Sequence, residues 1–152
     1  MPYLIDGHNL IPRVGLSLQS PDDEQALIVR LQEFSRRERT TVEVYFDGAP
    51  PGQAGTRRYG MVLAHFVRQG QTADEAIAHR LASLGAQAKN WTVVSSDHQV
   101  QRSARIHHAR VLSAEAFAHQ LRSHPRSEQA EKPDEIGNIE EWLQMFQKKG
   151  KK

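Results

Sequence analysis

The sequence predicts an α/β protein in which a mostly parallel sheet is covered by helices on both faces, a three-layer α/β/α arrangement. Short β-rich runs alternate with amphipathic stretches of helical length, and this order is typical of parallel strands joined by helices. The length of 152 residues is enough for one domain with a buried core and a short appendage. A hydrophobic content of 38% and a charged content of 25% exclude a disordered chain.

The composition excludes several classes of protein. The chain contains no cysteine, which rules out disulfides, thiolate zinc sites and cysteine nucleophiles. The formal net charge is +2 and the isoelectric point is near 9.1, a balance that permits an anionic partner such as RNA without requiring one. The first residues contain no basic segment followed by a long apolar run, so no secretory leader is expected, and no apolar run reaches the ~20 residues that a membrane helix needs. We therefore expect a cytoplasmic protein with no membrane contact.

Five runs rich in β-branched and aromatic residues predict the strands. The first, residues 3–5, ends at Asp6, and a loop is expected over residues 11–21. The others are residues 42–46, 61–67, 91–94 and 109–112. The segment 49–60 is rich in proline and glycine, and we expect no regular structure in it.

Four helices are predicted between and after these strands. The first begins with three acids at residues 22–24, where negative charge is favoured by the helix dipole. The second has a capping box formed by Thr72 and Glu75. The third runs from about residue 97 to residue 107, and Ser113 is expected to cap the fourth.

Residues 124–152 are predicted as an appendage to a domain that spans residues 1–123. The composition turns polar at residues 124–137, which is typical of a linker. An amphipathic helix is expected at residues 138–147, and a basic tail follows it. The apolar face of this helix, which includes Trp142, is too wide to remain in water, so it is expected to pack on the domain or to join two copies as a homodimer.

Four acids occupy comparable places in the predicted sheet. Asp6, Asp47 and Asp97 each follow a strand, and Asp74 lies in the first turn of a helix. The carboxyl ends of parallel strands share one edge, so we expect the three acids after strands to meet there, and Asp74 to join them if its helix starts at that edge. Clustered carboxylates repel one another and persist most easily beside hard cations, which favours Mg²⁺ or Mn²⁺. Two such ions stabilise the attacking and leaving oxygens when a phosphodiester is hydrolysed.

Each acid also has a purely structural interpretation. Asp74 gains roughly 0.3–1 kcal/mol from the helix dipole, Asp97 suits an N-cap, and Asp47 with the following glycine suits a turn. Taken singly, the structural interpretation is favoured for Asp47, and the two interpretations are even for Asp74 and Asp97. Asp6 is the exception, because neither a tight hairpin nor a helix is expected after it.

Four motifs follow one another at these positions, and together they are far more specific than any one alone. They are Leu4-Ile5-Asp6-Gly7-His8-Asn9, Tyr45-Phe46-Asp47-Gly48, Gln71-Thr72-Ala73-Asp74-Glu75-Ala76-Ile77 and Val94-Ser95-Ser96-Asp97, with Arg102 beyond. In this order they resemble the NYN domain, and more closely its YacP-type branch within the PIN-like nuclease superfamily. The resemblance covers roughly residues 1–122, and the segment from residue 124 onward has no evident counterpart.

This resemblance implies a PIN-like α/β fold and a metal-dependent ribonuclease, specifically an endonuclease. Position by position, Asp6, Asp74 and Asp97 match the acids that hold the metal in that family. Asn9 matches the asparagine of the first motif, which orients a carboxylate or contacts the phosphate. Asp47 matches a less essential acid, and its expected place is that of an outer metal ligand or a residue behind the ligands.

Cations near the acidic site are the expected contacts for RNA. Arg57 and Arg58 lie in the predicted loop beside the exit of the second strand, and Arg102 lies on the helix after Asp97. A solvated face is the usual interpretation of a surface arginine, and only their location singles out these three. His8 adjoins a proposed ligand but is expected to point elsewhere, so no role is assigned to it.

Three functions remain open from the sequence. The first is a Mg²⁺- or Mn²⁺-dependent ribonuclease acting on single-stranded RNA, either an mRNA or a ribosome-associated RNA. The second is an RNA-binding or ribosome-associated module with little catalysis, although a pure binder gains nothing from acids facing phosphates. The third is a phosphatase of the haloacid-dehalogenase kind, ranked last because His8 stands where that class has a second aspartate.

Overall fold

In a computed structural model, which describes residues 1–16 and 21–123, six strands form one sheet in the order β3-β4-β2-β1-β5-β6. The strands are β1 Tyr3–Asp6, β2 Val42–Ala49, β3 Gly55–Tyr59, β4 Val62–Arg68, β5 Thr92–Val94 and β6 Arg110–Leu112. The helices are α1 Gly7–Leu10, α2 Pro21–Glu38, α3 Ala73–Leu84, α4 His98–Ile106 and α5 Ala114–Ser123, and 3₁₀ turns occupy Ile11–Val14 and Gly85–Asn90.

The sheet is mostly parallel, as the sequence predicts. β1 is its central strand and pairs in parallel with β2 on one side and β5 on the other. The pairs of β2 with β4 and of β5 with β6 are also parallel, whereas the edge strand β3 runs antiparallel to β4. Five of the six strands therefore end at the same edge of the sheet.

Helices cover both faces of the sheet, which confirms the three-layer arrangement. On one face the rings of Tyr3 from β1, Phe34 from α2 and Phe117 from α5 are mutually in contact, with centroids 5.0–5.5 Å apart. On the other face Leu4 of β1 belongs to a buried cluster with Ile77 of α3 and Val100 of α4. Successive residues of β1 face opposite layers because side chains alternate along a strand.

The predicted loop at residues 49–60 is wrong over its second half, where the structure has strand β3. All of its residues except Tyr59 are exposed, and its sequence Gly-Thr-Arg-Arg-Tyr has no alternation of apolar and polar residues. The strand forms because it pairs with β4 along its whole length, from Gly55 opposite Phe66 to Tyr59 opposite Val62. A polar edge strand is a way to avoid unwanted pairing with other chains, and it leaves no hydrophobic pattern to detect.

The expectation that no helix follows Asp6 is also wrong. The structure has α1 immediately after Asp6, and the 3₁₀ turn replaces the first part of the predicted loop at residues 11–21. These two short elements bury Leu10 and Ile11 completely or almost so. Four residues are too few to show a helical period, so the pattern gives no signal for α1.

The predicted caps of the later helices are confirmed. Thr72 Oγ1 accepts a hydrogen bond from the backbone N–H of Glu75 at 3.0 Å, and the Glu75 side chain accepts one from the N–H of Thr72 at 3.1 Å. Ser113 Oγ accepts a hydrogen bond from the N–H of Ala116 at 3.1 Å. Each cap satisfies backbone donors that have no partner within their own helix.

The compact unit Met1–Ala118 contains the whole sheet. Of the part that follows, the structure describes only residues 119–123, at the end of α5. The predicted linker, the amphipathic helix at residues 138–147 and the basic tail lie outside the described residues. Within the described ranges, no helix is both long and apolar enough to cross a membrane.

Candidate active site

The candidate site lies where the central strand of the sheet ends. β1 leads into α1 at Asp6, and its two neighbours, β2 and β5, end beside it at the same edge. From β1 the strand order continues to one side through β2 and to the other through β5. Such a switch point leaves a crevice at the carboxyl ends of the strands, which is the usual ligand site of an open α/β sheet.

Asp6 is partly buried at this edge and lies beside the loop that leaves β5. Ser95, which is fully buried, has its hydroxyl 3.3 Å from Asp6 Oδ2 and donates a hydrogen bond to it. Burial raises the pKa of Asp6, contacts from Ser95 and from the backbone of Asn9 partly offset this, and the charges of Asp47 and Asp97 raise the pKa again. Asp6 is therefore within electrostatic reach of two of the other predicted acids.

Asp97 and Asp74 come from two helices that begin at the same edge. Asp97 is the N-cap of α4 and accepts a hydrogen bond from the N–H of Gln99 at 2.8 Å. Asp74 lies in the first turn of α3. Burial raises the pKa of Asp74, and the charges of Asp97 and then Glu75 raise it further. Asp97 thus links Asp6 and Asp74 into one group of repelling carboxylates.

Asp47 is held in a different way from the other three acids. Its Oδ1 lies 3.0 Å from Nδ1 of His8, and its Oδ2 accepts a hydrogen bond from the backbone N–H of Ala73 at 3.3 Å. Both oxygens therefore have partners within the protein. Asp47 ties the exit of β2 to the start of α3, directly before Asp74.

His8 and Glu24 lie beside this group, although the sequence patterns assign no role to either. Nε2 of His8 lies 2.6 Å from Glu24 Oε2, at the start of α2. The contact with Glu24 raises the pKa of His8, burial opposes this, and Asp47 raises the pKa further. In the sequence, His8 is marked only by its place two residues after Asp6 and next to Asn9. The orientation of its side chain depends on α1, which the sequence pattern does not predict.

Asn9 holds the loop that carries Asp97. Its Oδ1 accepts a hydrogen bond from the backbone N–H of Ser96 at 2.8 Å. Ser96 is also hydrogen-bonded through its hydroxyl to Glu115, which forms an ion pair with Arg13 at 2.6 Å. Arg13 in turn donates to the carbonyl oxygen of Asn9 at 2.6 Å. This closed network joins the segment after β1 to the loop after β5.

The donor chemistry of the acids fits a hard divalent cation. In residues 1–16 and 21–123, no arginine, lysine or histidine lies within ion-pair distance of Asp6, Asp74 or Asp97. Carboxylate oxygens without a protein cation are the ligands that Mg²⁺ and Mn²⁺ prefer. Within these same ranges, however, no three acidic or histidine side chains converge as a preformed ligand set. The chemistry and the location of the acids fit a divalent metal, but their side chains are not already arranged as a set of three ligands.

The three predicted RNA-contacting arginines are not brought into contact with the acids. Arg57 and Arg58 lie on β3, which is separated from β1 by β4 and β2. The Arg57 guanidinium stacks 4.7 Å from the ring centroid of Phe66, and Arg58 donates to the carbonyl oxygen of Gly60 at 3.4 Å. Arg102 is exposed on α4, the helix that Asp97 caps.

Comparison with known proteins agrees with this geometry. The sequence model of one family, described as the YacP-like NYN domain, matches residues 3–149. This match extends beyond residue 122, where the motifs alone had ended the resemblance. A search of curated proteins found no significant match.

Two solved structures share the fold, and both are of Rae1 (YacP) from Bacillus subtilis. The W164L mutant is 24% identical, with a TM-score of 0.64, and the match covers 80% of this chain and 75% of that one. The other crystal structure is 22% identical, with a TM-score of 0.66, and the match covers 81% of this chain and 74% of that one. At these identities the likeness establishes a shared fold.

Proposed function

Because this chain belongs to the YacP-like NYN domain family, a family of PIN-like nuclease domains, we propose that it is a metal-dependent endoribonuclease. The family suggests a hydrolase that acts on RNA. Use of Mg²⁺ or Mn²⁺ and cleavage within the chain of a single-stranded RNA are the finer parts of the proposal.

One observation carries this proposal. Asp6, Asp74 and Asp97 come from three different elements, yet they gather at the carboxyl edge of the sheet, and no cation among the described residues forms an ion pair with them. Such an arrangement costs stability, because burial and mutual repulsion both disfavour the charged forms. A site that binds a cation gains from this arrangement, whereas a purely structural cluster does not.

Each residue of the site has a distinct part in the proposed reaction. Asp6, Asp74 and Asp97 would hold Mg²⁺ or Mn²⁺, which when bound would neutralise charge that develops on the phosphate oxygens. Asp47 holds the start of α3 through its hydrogen bond from Ala73, next to Asp74. Asn9 holds the loop that carries Asp97 through its hydrogen bond from Ser96. Helices α3 and α4 both begin at this edge, so the positive ends of their dipoles and their free N–H groups face it.

Arginines outside the acidic group would contact the RNA backbone. Strand β3 runs antiparallel to β4, and its first residue, Gly55, pairs with Phe66 near the end of β4. The start of β3 therefore lies towards the carboxyl edge of the sheet, and Arg57 is nearer to that edge than Arg58. Arg102 lies on α4, one turn beyond its first residue, His98. These positions are separate from the acids, so they are expected to contribute RNA affinity rather than chemistry.

The decisive experiment is the substitution Asp97→Asn. Asparagine is as good an N-cap as aspartate, so α4 is expected to remain intact while a charged ligand is lost. We expect RNA cleavage in Mn²⁺ to fall by at least about 10²-fold, as for other losses of electrostatic stabilisation, with the circular dichroism spectrum and RNA affinity retained. Asp22→Asn, an exposed acid at the start of α2, is the matched control. Equal cleavage by wild type and Asp97→Asn would refute the proposal.

The alternative is an RNA-binding or ribosome-associated module with little catalysis of its own. The observation that favours it is that the described side chains do not form a finished set of three metal ligands. Tight RNA binding without cleavage of varied RNAs in Mn²⁺ would support this alternative. Binding that strengthens on Asp6→Asn would support it further, because the acids would then only repel the phosphates.

A further inference from the structure

We propose that His8 is a positioning residue, which joins Glu24 to Asp47 so that Asp47 holds the first turn of α3 and thereby places Asp74. The purpose of this link rests on the proposed function, since it concerns a residue that would hold the metal. The link itself is a property of the protein alone, and it can be measured without RNA or metal.

His8 is held on both sides by carboxylates. Its Nδ1 lies 3.0 Å from Asp47 Oδ1 and its Nε2 lies 2.6 Å from Glu24 Oε2. The side chains of His8, Glu24 and Asp47 are 30%, 24% and 40% exposed, so solvent only partly screens the contacts. The His8 ring also packs beside Phe46, with centroids 5.5 Å apart. The imidazole therefore connects α1, the start of α2 and the end of β2.

Both ring nitrogens of His8 are engaged by these two carboxylates. A histidine that transfers a proton to a leaving group, or that donates a hydrogen bond to a phosphate, needs one nitrogen directed at the substrate. Two carboxylates on opposite sides of the ring instead fix the orientation of the imidazole. The contact with His8 also distinguishes Asp47 from Asp6, Asp74 and Asp97, which have no ion-pair partner in residues 1–16 and 21–123.

Asp47, which is held by His8, in turn holds the first turn of α3. Its second oxygen accepts the hydrogen bond from the N–H of Ala73, a buried residue at the first position of the helix. The capping box of Thr72 and Glu75 satisfies other N–H donors of this turn. Asp47, which belongs to strand β2, accepts the remaining hydrogen bond from Ala73. Asp74 is the next residue along the chain, and its backbone position is therefore set by Asp47.

The test measures the backbone of α3 directly. In the full chain without metal or RNA, we expect His8→Ala to speed hydrogen exchange of the Ala73 amide by about tenfold or more. Asp47→Ala, which removes the acceptor of the Ala73 N–H, is expected to have a similar effect. The two changes together should add little to either alone, because they remove the same link. Amides of Val44 and Val93 in the sheet are expected to exchange at wild-type rates.

His98→Ala is the matched control, since His98 is an exposed histidine that also adjoins a proposed ligand. If His8→Ala fails to fold, Glu24→Gln provides a milder test, with a smaller change in the same direction. Unchanged exchange at Ala73 in a folded His8→Ala protein would overturn the inference. So would additive effects of His8→Ala and Asp47→Ala.

A second measurement connects the link to the site. We expect Mn²⁺ affinity, measured by calorimetry, to fall by about tenfold in His8→Ala, as for other residues that orient metal ligands. In cleavage assays kcat should fall at saturating RNA, with KM for RNA unchanged. If wild type neither binds Mn²⁺ nor cleaves RNA, the proposed function fails. The exchange of Ala73 would still decide whether His8 positions α3.

Discussion

At the scale of single residues, Gly7 lies where the chain leaves β1 and passes closely over β2. A Cβ atom at this position would lie 2.4 Å from Cε1 and 2.6 Å from Cδ1 of Phe46, and 2.9 Å from the carbonyl oxygen of Tyr45. Real Cβ atoms do not approach other atoms so closely. Gly7 is therefore required by close packing, and it lets Asp6 and His8 take their places on either side.

We expect Gly7→Ala to destabilise the protein by about 1–3 kcal/mol, the range for overpacking a core. Helix propensity alone would favour alanine in α1 by up to about 1 kcal/mol, so the sign of the effect identifies its cause. Urea denaturation measures the change. Gly52→Ala is the control, because its Cβ would meet no atom within 4 Å and only its left-handed backbone is strained. A Gly7→Ala protein as stable as wild type would contradict this account.

At the scale of elements, a buried ion pair connects β2 to α3 on the face away from α2. Glu43 is only 5% exposed and receives two hydrogen bonds from Arg80, each 2.9 Å long, and one from the Tyr45 hydroxyl at 3.1 Å. Nε2 of His65 lies 3.5 Å from Glu43 Oε1. Burial raises the pKa of Glu43, but the contacts with His65, Arg80 and Tyr45 outweigh it and lower the pKa to about 2.

We expect Arg80→Ala to cost up to about 3 kcal/mol at pH 7. This is the lower end for breaking a buried pair, because Arg80 itself is 34% exposed. The pKa of Glu43 in the folded state is depressed below its ordinary 4.5. The stability that ionised Glu43 contributes is therefore fully present above pH 4.5 and is lost as the pH falls towards 2. The difference between wild type and variant should therefore shrink in urea denaturation at pH 3. A difference that is constant with pH would argue against an ionic contribution.

At the scale of the whole molecule, the parallel sheet concentrates negative charge at one edge. Five strands end there. Asp6 and Asp47 lie near the ends of β1 and β2, and Asp74 and Asp97 lie at the starts of α3 and α4. Among the described residues, Asp47 is the only one of these four acids with a histidine, lysine or arginine within ion-pair distance, namely His8. The raised pKa values of Asp6 and Asp74 mean that their ionised forms oppose folding at neutral pH.

We expect Asp6→Asn to be more stable than wild type in EDTA at pH 7, by about 1 kcal/mol or roughly 4 °C in Tm. The amide can still accept the hydrogen bond from Ser95 while the repulsion is removed. Mn²⁺ should raise the Tm of wild type and leave that of Asp6→Asn almost unchanged, because binding to the folded state stabilises it. Asp47→Ala is the contrasting control, and it should lower Tm because the contacts with His8 Nδ1 and with the N–H of Ala73 are both lost. Thermal denaturation that shows Asp6→Asn to be less stable in EDTA would refute this prediction.

Local patterns in the sequence determined the parallel sheet, the helix caps and the acids at the strand ends. Alternating elements and capping residues are encoded within a few positions, and parallel topology alone directs strand ends to one edge. This is why Asp6, Asp47 and Asp97 could be expected to meet, whereas the place of Asp74 depended on the edge at which its helix begins. The functional roles of these acids stay predictions.

Only the tertiary structure decided which side chains support that edge. Strand β3 and helix α1 carry no hydrophobic period, because one is an exposed edge and the other is a single turn. His8 meets Glu24 and Asp47 at separations of 16 and 39 residues. Such pairs depend on the path of the backbone between them, here on Gly7 and α1, and no local pattern records that path.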